Sequence, residues 1–279
     1  MTKTLMLMGA GPQSSKTAVG VALCRALSNA GVRVAPFKAI SVVKERERST
    51  DTRPLPGLGV IHQVLAARCP FEHAMNPVMV WQTGAISGDL YVNGKYLDPV
   101  KLANEDLVVP GSIQGAAKQR VRQAVGDAYR DLTARYDFVV IEGASCPADL
   151  PEEEDLPNVA VARMSRAPIV LSCQFSRGGG GAALIGTGLC LPPDVRSQLR
   201  GIVFSDVREE ALAKYASGLV TSFLHVPLVG TIPRLSFCWS GLSESVANHQ
   251  AYDLWAETVT RSLNMQVTGL DELLNGLRP

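Results

Sequence analysis

The stretch "LMLMGAGPQSSKTAVG", residues 5–20, decides the fold. Its apolar run ends in Gly9-Ala10-Gly11, passes through Pro12, Gln13, Ser14 and Ser15, and reaches Lys16-Thr17, from which "TAVGVALCRALSNAG" reads as a helix. Strand, small-residue loop and Lys-Thr at a helix start follow the order of a phosphate-binding loop. In such a loop consecutive backbone N–H groups point at phosphates, the lysine adds charge, and the hydroxyl helps to hold magnesium. On that reading Gly9, Gly11, Pro12, Gln13, Ser14, Ser15, Lys16, Thr17 and Ala18 are the candidate nucleotide-binding residues. One feature departs from the pattern: Ser15 stands where a glycine usually precedes the lysine, and a Cβ there costs energy. The competing reading is an ordinary strand-to-helix turn, and the stretch alone leaves both open.

The rest of the composition bounds the choice. A chain of 279 residues with 46% hydrophobic and 19% charged residues can bury a substantial core as one domain, or one domain with an extension. A formal net charge of +1 shows no global commitment to nucleic acid or to an anionic membrane, so we expect neither as a partner. No signal-peptide pattern opens the sequence and no apolar run approaches the roughly 20 residues of a membrane span, so the expected location is cytoplasmic. Six cysteines lack CxxC spacing, and four isolated histidines form no His-x-x-x-His pair, which argues against a zinc site or a disulfide framework.

Apolar runs rich in β-branched residues alternate with amphipathic segments. "VRVAPFK", "DFVVIEGA", "APIVLSCQF", "RGIVFSDV" and "PLVGTIPRL" read as strands, while "GLGVIHQVLAARC" and "GAAKQRVRQAVGDAYRDLTARY" read as helices. Nearly uninterrupted apolar strands imply an α/β fold with a mostly parallel sheet covered by helices on both faces. Ligands of such sheets bind beyond the carboxyl ends of the strands. Glu142 ends the most apolar strand, where an unpaired carboxylate is costly to bury and a magnesium ion would relieve the cost. Lys38 follows another strand, as a surface lysine or as a charge for an anionic ligand.

Several ordered segments resemble the synthetase domain of cobyric acid synthases and, more distantly, dethiobiotin synthetases, from about residue 5 to residue 235. They are "GAGPQSSKT", "VAPFKA", "MNPVMVW", "YDFVVIEGASCPADL", "RGGGGAALIGT" and "PLVGTIPRL". The resemblance implies a P-loop NTPase-like single domain over 1–235, with 236–279 as a helical C-terminal extension packed on it. It implies ATP and Mg2+ as cofactors, with Thr17, Asp51 and Glu142 as metal ligands. Asp51 lies thirteen residues after Lys38, the interval of the family's aspartate. Lys16 and Lys38 are the implied catalytic cations, and we add Arg177 as a clamp for a substrate carboxylate.

Departures gather in the presumed substrate loops. Ser205 stands where the family has a base-recognition asparagine, which leaves the preference for ATP over another nucleoside triphosphate open. "QFSRGGGG" replaces a run with two carboxylates, Ser145-Cys146 replaces Gly-Ser, and Trp81 replaces a polar residue. The glutamine-hydrolysing domain of cobyric acid synthases has no counterpart in these residues. The expected nitrogen donor is therefore ammonia, an amine substrate or a separate glutaminase subunit. The leading expectation is an ATP- and Mg2+-dependent carbon–nitrogen ligase that activates a small-molecule carboxylate as an acyl phosphate, working as a homodimer. The alternatives are dethiobiotin-type ring closure of a diamine with CO2, a partitioning-type ATPase switch, and an inactive nucleotide-binding protein.

Overall fold

Lys3–Gly9 alternates its side chains between two buried faces, with Met6 and Met8 on one and Leu5 and Leu7 on the other, and so forms the central strand β1. This computed structural model describes residues 3–11, 14–44, 56–104, 107–234 and 246–264, except the side chains of Arg177 and of residues 246–248. Pro12, Gln13 and Asp51 lie outside the described residues. After β1 come α1 (Lys16–Asn29), β2 (Val34–Phe37), β3 (Ile40–Val43), α2 (Leu58–Ala67), β4 (Val78–Gly84), β5 (Ser87–Val92), β6 (Lys95–Asn104) and β7 (Leu107–Val108). The second half holds α3 (Gly115–Arg135), β8 (Phe138–Glu142), α4 (Val161–Ser165), β9 (Ile169–Gln174), α5 (Gly180–Cys190), α6 (Pro193–Arg196), β10 (Leu199–Val207), α7 (Glu210–Leu224), β11 (Leu228–Pro233) and α8 (Val246–Ser262).

The main sheet is six-stranded, in the order β11-β10-β9-β1-β8-β2, and every pairing in it is parallel. With the phosphate-loop strand at its middle, β1 pairs β8 with Leu7 level with Glu142, and β9 with Gly9 level with Ser172. The loops that leave β1, β8 and β9 therefore open on one edge of the sheet. Buried apolar residues lie on both faces, as the uninterrupted strand patterns require. Among the described residues no helix is long and apolar enough to cross a membrane.

A second sheet, β3-β4-β5-β6-β7, is the part the sequence reading passes over. Its β3–β4 pairing is parallel and the rest is antiparallel. The β5–β6 hairpin turns at Asn93-Gly94, both left-handed with φ of 49° and 74°, the chemistry that a two-residue hairpin turn demands. Helix α3 touches β8 of the main sheet and β4 and β5 of the second, and so joins the two sheets through a helix whose buried stripe is Val121, Ala124, Val125, Ala128 and Leu132.

Within 236–279, residues 246–262 form α8, which packs along α1. Arg25 of α1 is fully buried and donates from Nε and Nη2 to Asp253 at 2.7 and 2.9 Å. Those bonds, with one from Asn29, hold the Asp253 carboxyl down to about 2. Further along α8, Trp255 Nε1 donates to the Ala18 carbonyl at 2.6 Å, one residue beyond Thr17.

Candidate active site

The loop after β1 is built around close approaches. A Cβ on Gly9 would lie 2.0 Å from Ser14 Oγ and 2.5 Å from Lys16 Nζ, so only glycine lets the loop fold back over the strand end. Lys16 Nζ donates to Ser14 Oγ at 3.0 Å and to the Ser145 carbonyl at 3.1 Å, which ties the β1 loop to the β8 loop. Gly11 takes φ of 118°. Ser15, the residue before α1, takes φ of 65° and ψ of 14°, the left-handed conformation in which a Cβ is costly.

Glu142 gathers the other groups. It is 2% exposed. Its Oε1 accepts from Lys38 Nζ at 2.7 Å and from Thr17 Oγ1 at 2.9 Å, and its Oε2 accepts from Gln63 Nε2. Burial pushes this carboxyl up, but Lys38, Lys16 and the Thr17 hydroxyl together outweigh it and hold the group below the usual carboxylate range. Lys38 is positioned in turn by Asn76 of the "MNPVMVW" segment. Asn76 Nδ2 donates to the Lys38 carbonyl at 2.7 Å, and its Oδ1 accepts from Ser41 Oγ at 2.7 Å.

Gln63 is the residue that sequence reasoning missed. Its signal was an amide at the centre of the apolar helix "LGVIHQVLAA", where a fully buried polar side chain needs a partner.

A cavity of about 650 Å3 opens beside these groups. Lys16, Thr17, Lys38 and Glu142 line one part of it, and apolar side chains including Ile40, Val42, Val108, Ile113 and Leu156 line much of the rest. A hydroxyl and a buried carboxylate in contact at its wall suit a hard cation such as Mg2+, which usually keeps several waters and takes one or two carboxylates.

Four further residues singled out in the sequence sit on neighbouring elements and loops. Ser205 is buried in β10, where its Oγ lies 2.7 Å from Ser15 Oγ and 3.0 Å from the Cys173 carbonyl. The short 3-10 turn Phe175–Arg177 ends at Arg177, whose side chain lies outside the described residues. Cys146 is buried with Sγ 3.3 Å from Thr187 Oγ1. Trp81 is half-buried in β4 against Tyr91, with ring centroids 5.4 Å apart.

The turn behind the β8 loop carries a titratable support. Asp155 Oδ1 accepts from the Asn158 amide N at 3.1 Å and from its side-chain Nδ2 at 2.9 Å, and Asn158 Nδ2 also donates to the Ala144 carbonyl at 2.8 Å. Gly143 admits this packing, because a Cβ there would lie 2.1 Å from Asn158 Oδ1. Burial raises the Asp155 carboxyl to about 7 against those hydrogen bonds. Its unfolded value is near ~3.9, so the stability it lends is fully present below about pH 4 and is lost as pH rises through about 7. Thermal unfolding followed across that window should show a melting temperature that falls with pH, with a shallower fall in Asp155→Asn. Equal slopes for the two proteins would contradict this assignment.

Comparison with known proteins agrees with the geometry. A family model described as an AAA domain matches residues 94–238, just over half of the chain. Cobyric acid synthase from Rhizobium rhizogenes (strain K84) is 31% identical over 238 residues, covering 84% of this chain and 47% of the relative. The same enzyme from Pelotomaculum thermopropionicum is 30% identical over 253 residues, covering 90% of this chain and 46% of the relative. The chain thus spans about half the length of the curated relatives it matches. Among solved structures, the septum site-determining protein MinD from Pyrococcus horikoshii, complexed with Mg-ADP, aligns at a TM-score of 0.42 with 15% identity, covering 99% of this chain and 93% of that one. A ParA family ATPase from Chlorobium tepidum aligns at 0.44 with 12% identity, covering 99% and 97%. With the parallel sheet, the loop after its central strand and the ordered motifs already described, the chain belongs to the AAA domain family and is a cobyric acid synthase-like P-loop domain.

Proposed function

We propose that this chain is an ATP- and Mg2+-dependent carbon–nitrogen ligase that activates a small-molecule carboxylate. The observation that carries the reading is the convergence of Lys16, Thr17, Lys38 and Glu142 on one wall of the cavity. A carboxylate is a poor electrophile. In the reaction proposed, its oxygen bonds to the γ-phosphorus while the bond from that phosphorus to the β-phosphate bridging oxygen breaks, giving an acyl phosphate and ADP. Nitrogen then attacks the acyl carbon, phosphate leaves with the oxygen it gained, and the nitrogen gives up a proton. The loop amides and Lys16 serve the nucleotide phosphates, and Lys38 serves the oxygens that pass between the two reactants. Mg2+, when bound, would be held by Thr17 and Glu142 and would neutralise phosphate charge. Arg177 is proposed to hold the substrate carboxylate. The nitrogen donor is an amine, or ammonia that is free or released by a glutaminase.

The test uses a panel of carboxylates and amines with phosphate release as the readout, followed by 18O-labelled carboxylate for whichever stimulates it. One labelled oxygen in the released phosphate is the expected result. Unlabelled phosphate with a true substrate would exclude carboxylate activation, and stimulation by a diamine with CO2 would favour ring closure.

A homodimer is proposed on the outer face of α7. Leu212, Tyr215, Leu219 and Phe223 are 58, 81, 52 and 51% exposed there, at helical spacing. A two-fold axis passing between Tyr215 and Leu219 brings Leu212 level with the partner's Phe223 and Tyr215 level with the partner's Leu219, so one uncharged stripe covers its own copy. Sedimentation equilibrium should show a dimer that Tyr215→Glu weakens at least roughly tenfold. A monomer at all concentrations, or a dimer indifferent to that change, would refute the stripe as the contact.

A further inference from the structure

Ser15 stands in the phosphate loop directly before α1. At φ of 65° it is left-handed, a state that is unfavourable for a residue with a Cβ. Its hydroxyl makes no capping bond to the helix that follows. The hydroxyl instead reaches Ser205, 190 residues further along the chain and two strands away, since β10 is separated from β1 by β9. Ser205 is buried at the floor of the loop and carries one hydrogen. Its hydroxyl donates towards Ser15 Oγ at 2.7 Å and towards the Cys173 carbonyl at 3.0 Å, so the one hydrogen is shared between a loop oxygen and a main-chain oxygen.

We propose that Ser205 is a positioning residue for the phosphate loop. By donating to Ser15 Oγ it holds the left-handed turn that sets the direction of the N–H groups from Ser15 to Thr17. The loop therefore keeps its shape with serine at a point that glycine would occupy without help. The main-chain carbonyl of Cys173 fixes Ser205 itself, so β9 and β10 together act as the template. Ser205 is not among the residues that line the cavity, and its effect on a ligand passes through Ser15. The inference rests on the proposed nucleotide-binding role of the loop.

The test is a double-mutant cycle read as the dissociation constant for Mg-ADP by calorimetry, in the wild type, Ser205→Ala, Ser15→Gly and the double variant. A lost neutral hydrogen bond converts to roughly a fivefold to tenfold weaker affinity, and that is the loss expected for Ser205→Ala alone. In the Ser15→Gly background the same change should cost no more than about twofold, because glycine takes the left-handed turn unaided. A residue that only packs β10 would lower the urea midpoint equally in both backgrounds and leave affinity unchanged. Equal affinity losses in the two backgrounds, or no loss in either, would overturn the proposal while nucleotide binding by the wild type stands. If the folded wild type binds no Mg-ADP, the nucleotide reading of the loop falls, and this inference falls with it.

Discussion

Lys16→Ala is expected to abolish phosphate release, a loss of at least roughly 100-fold, in a protein that stays folded. The Lys16 ammonium donates to Ser14 Oγ and to the Ser145 carbonyl at the mouth of the cavity, and it takes no part in either apolar core. Alanine there removes a positive charge from the phosphate position and leaves polar partners that face the cavity rather than a void. Far-ultraviolet dichroism should match that of the wild type, and calorimetry with Mg-ADP should show affinity largely gone. Urea unfolding should stay cooperative, with a midpoint lowered because Lys16 helps to hold the buried Glu142 ionised. A folded variant with wild-type affinity and turnover would remove the phosphate-loop assignment altogether.

Glu142→Gln should cost both stability and turnover, for separable reasons. The carboxylate is the buried partner of Lys38, and neutralising it leaves an ammonium in a largely buried site, a change typically worth about 3–5 kcal/mol. An amide is also a poorer ligand for a hard cation, so the Mg2+ response of phosphate release should weaken, with turnover reduced at least roughly 100-fold. The double variant Lys38→Met/Glu142→Gln removes both charges, and its urea midpoint should recover towards the wild type while turnover stays lost. Wild-type Mg2+ titration in the single variant would take Glu142 out of the metal shell. A double variant as unstable as the single one would show that the pair is not the source of the instability.

What could be read from the residues followed the range of the forces involved. Uninterrupted apolar runs revealed β1, β8, β9 and β10, because strands buried on both faces need no polar positions. Glu142 was legible for the converse reason, a charge at the end of such a run. The second sheet was not read, although "VNGKY" carries a hairpin signal at Asn93-Gly94, because its exposed β6 lacks a continuous apolar pattern. The Gln63–Glu142 and Ser15–Ser205 contacts are products of tertiary approach, across 79 and 190 residues respectively, and no local pattern names either partner. The serine at position 15 reads as a weakened loop until its distant partner Ser205 is known.

The tie between α1 and α8 bears on how the chain is made. The Arg25 guanidinium sits inside the folded protein, and its carboxylate partner Asp253 lies 228 residues later. At translation rates of roughly 5–20 residues per second, Asp253 is added about 11 to 46 s after Arg25. During that interval the phosphate-loop helix has α2 beside it but lacks α8, and its buried cation lacks the Asp253 counter-charge. The phosphate-loop end of the molecule therefore waits for a helix encoded more than 200 residues after it, and a nascent chain arrested before α8 should bind nucleotide far more weakly than one that includes it.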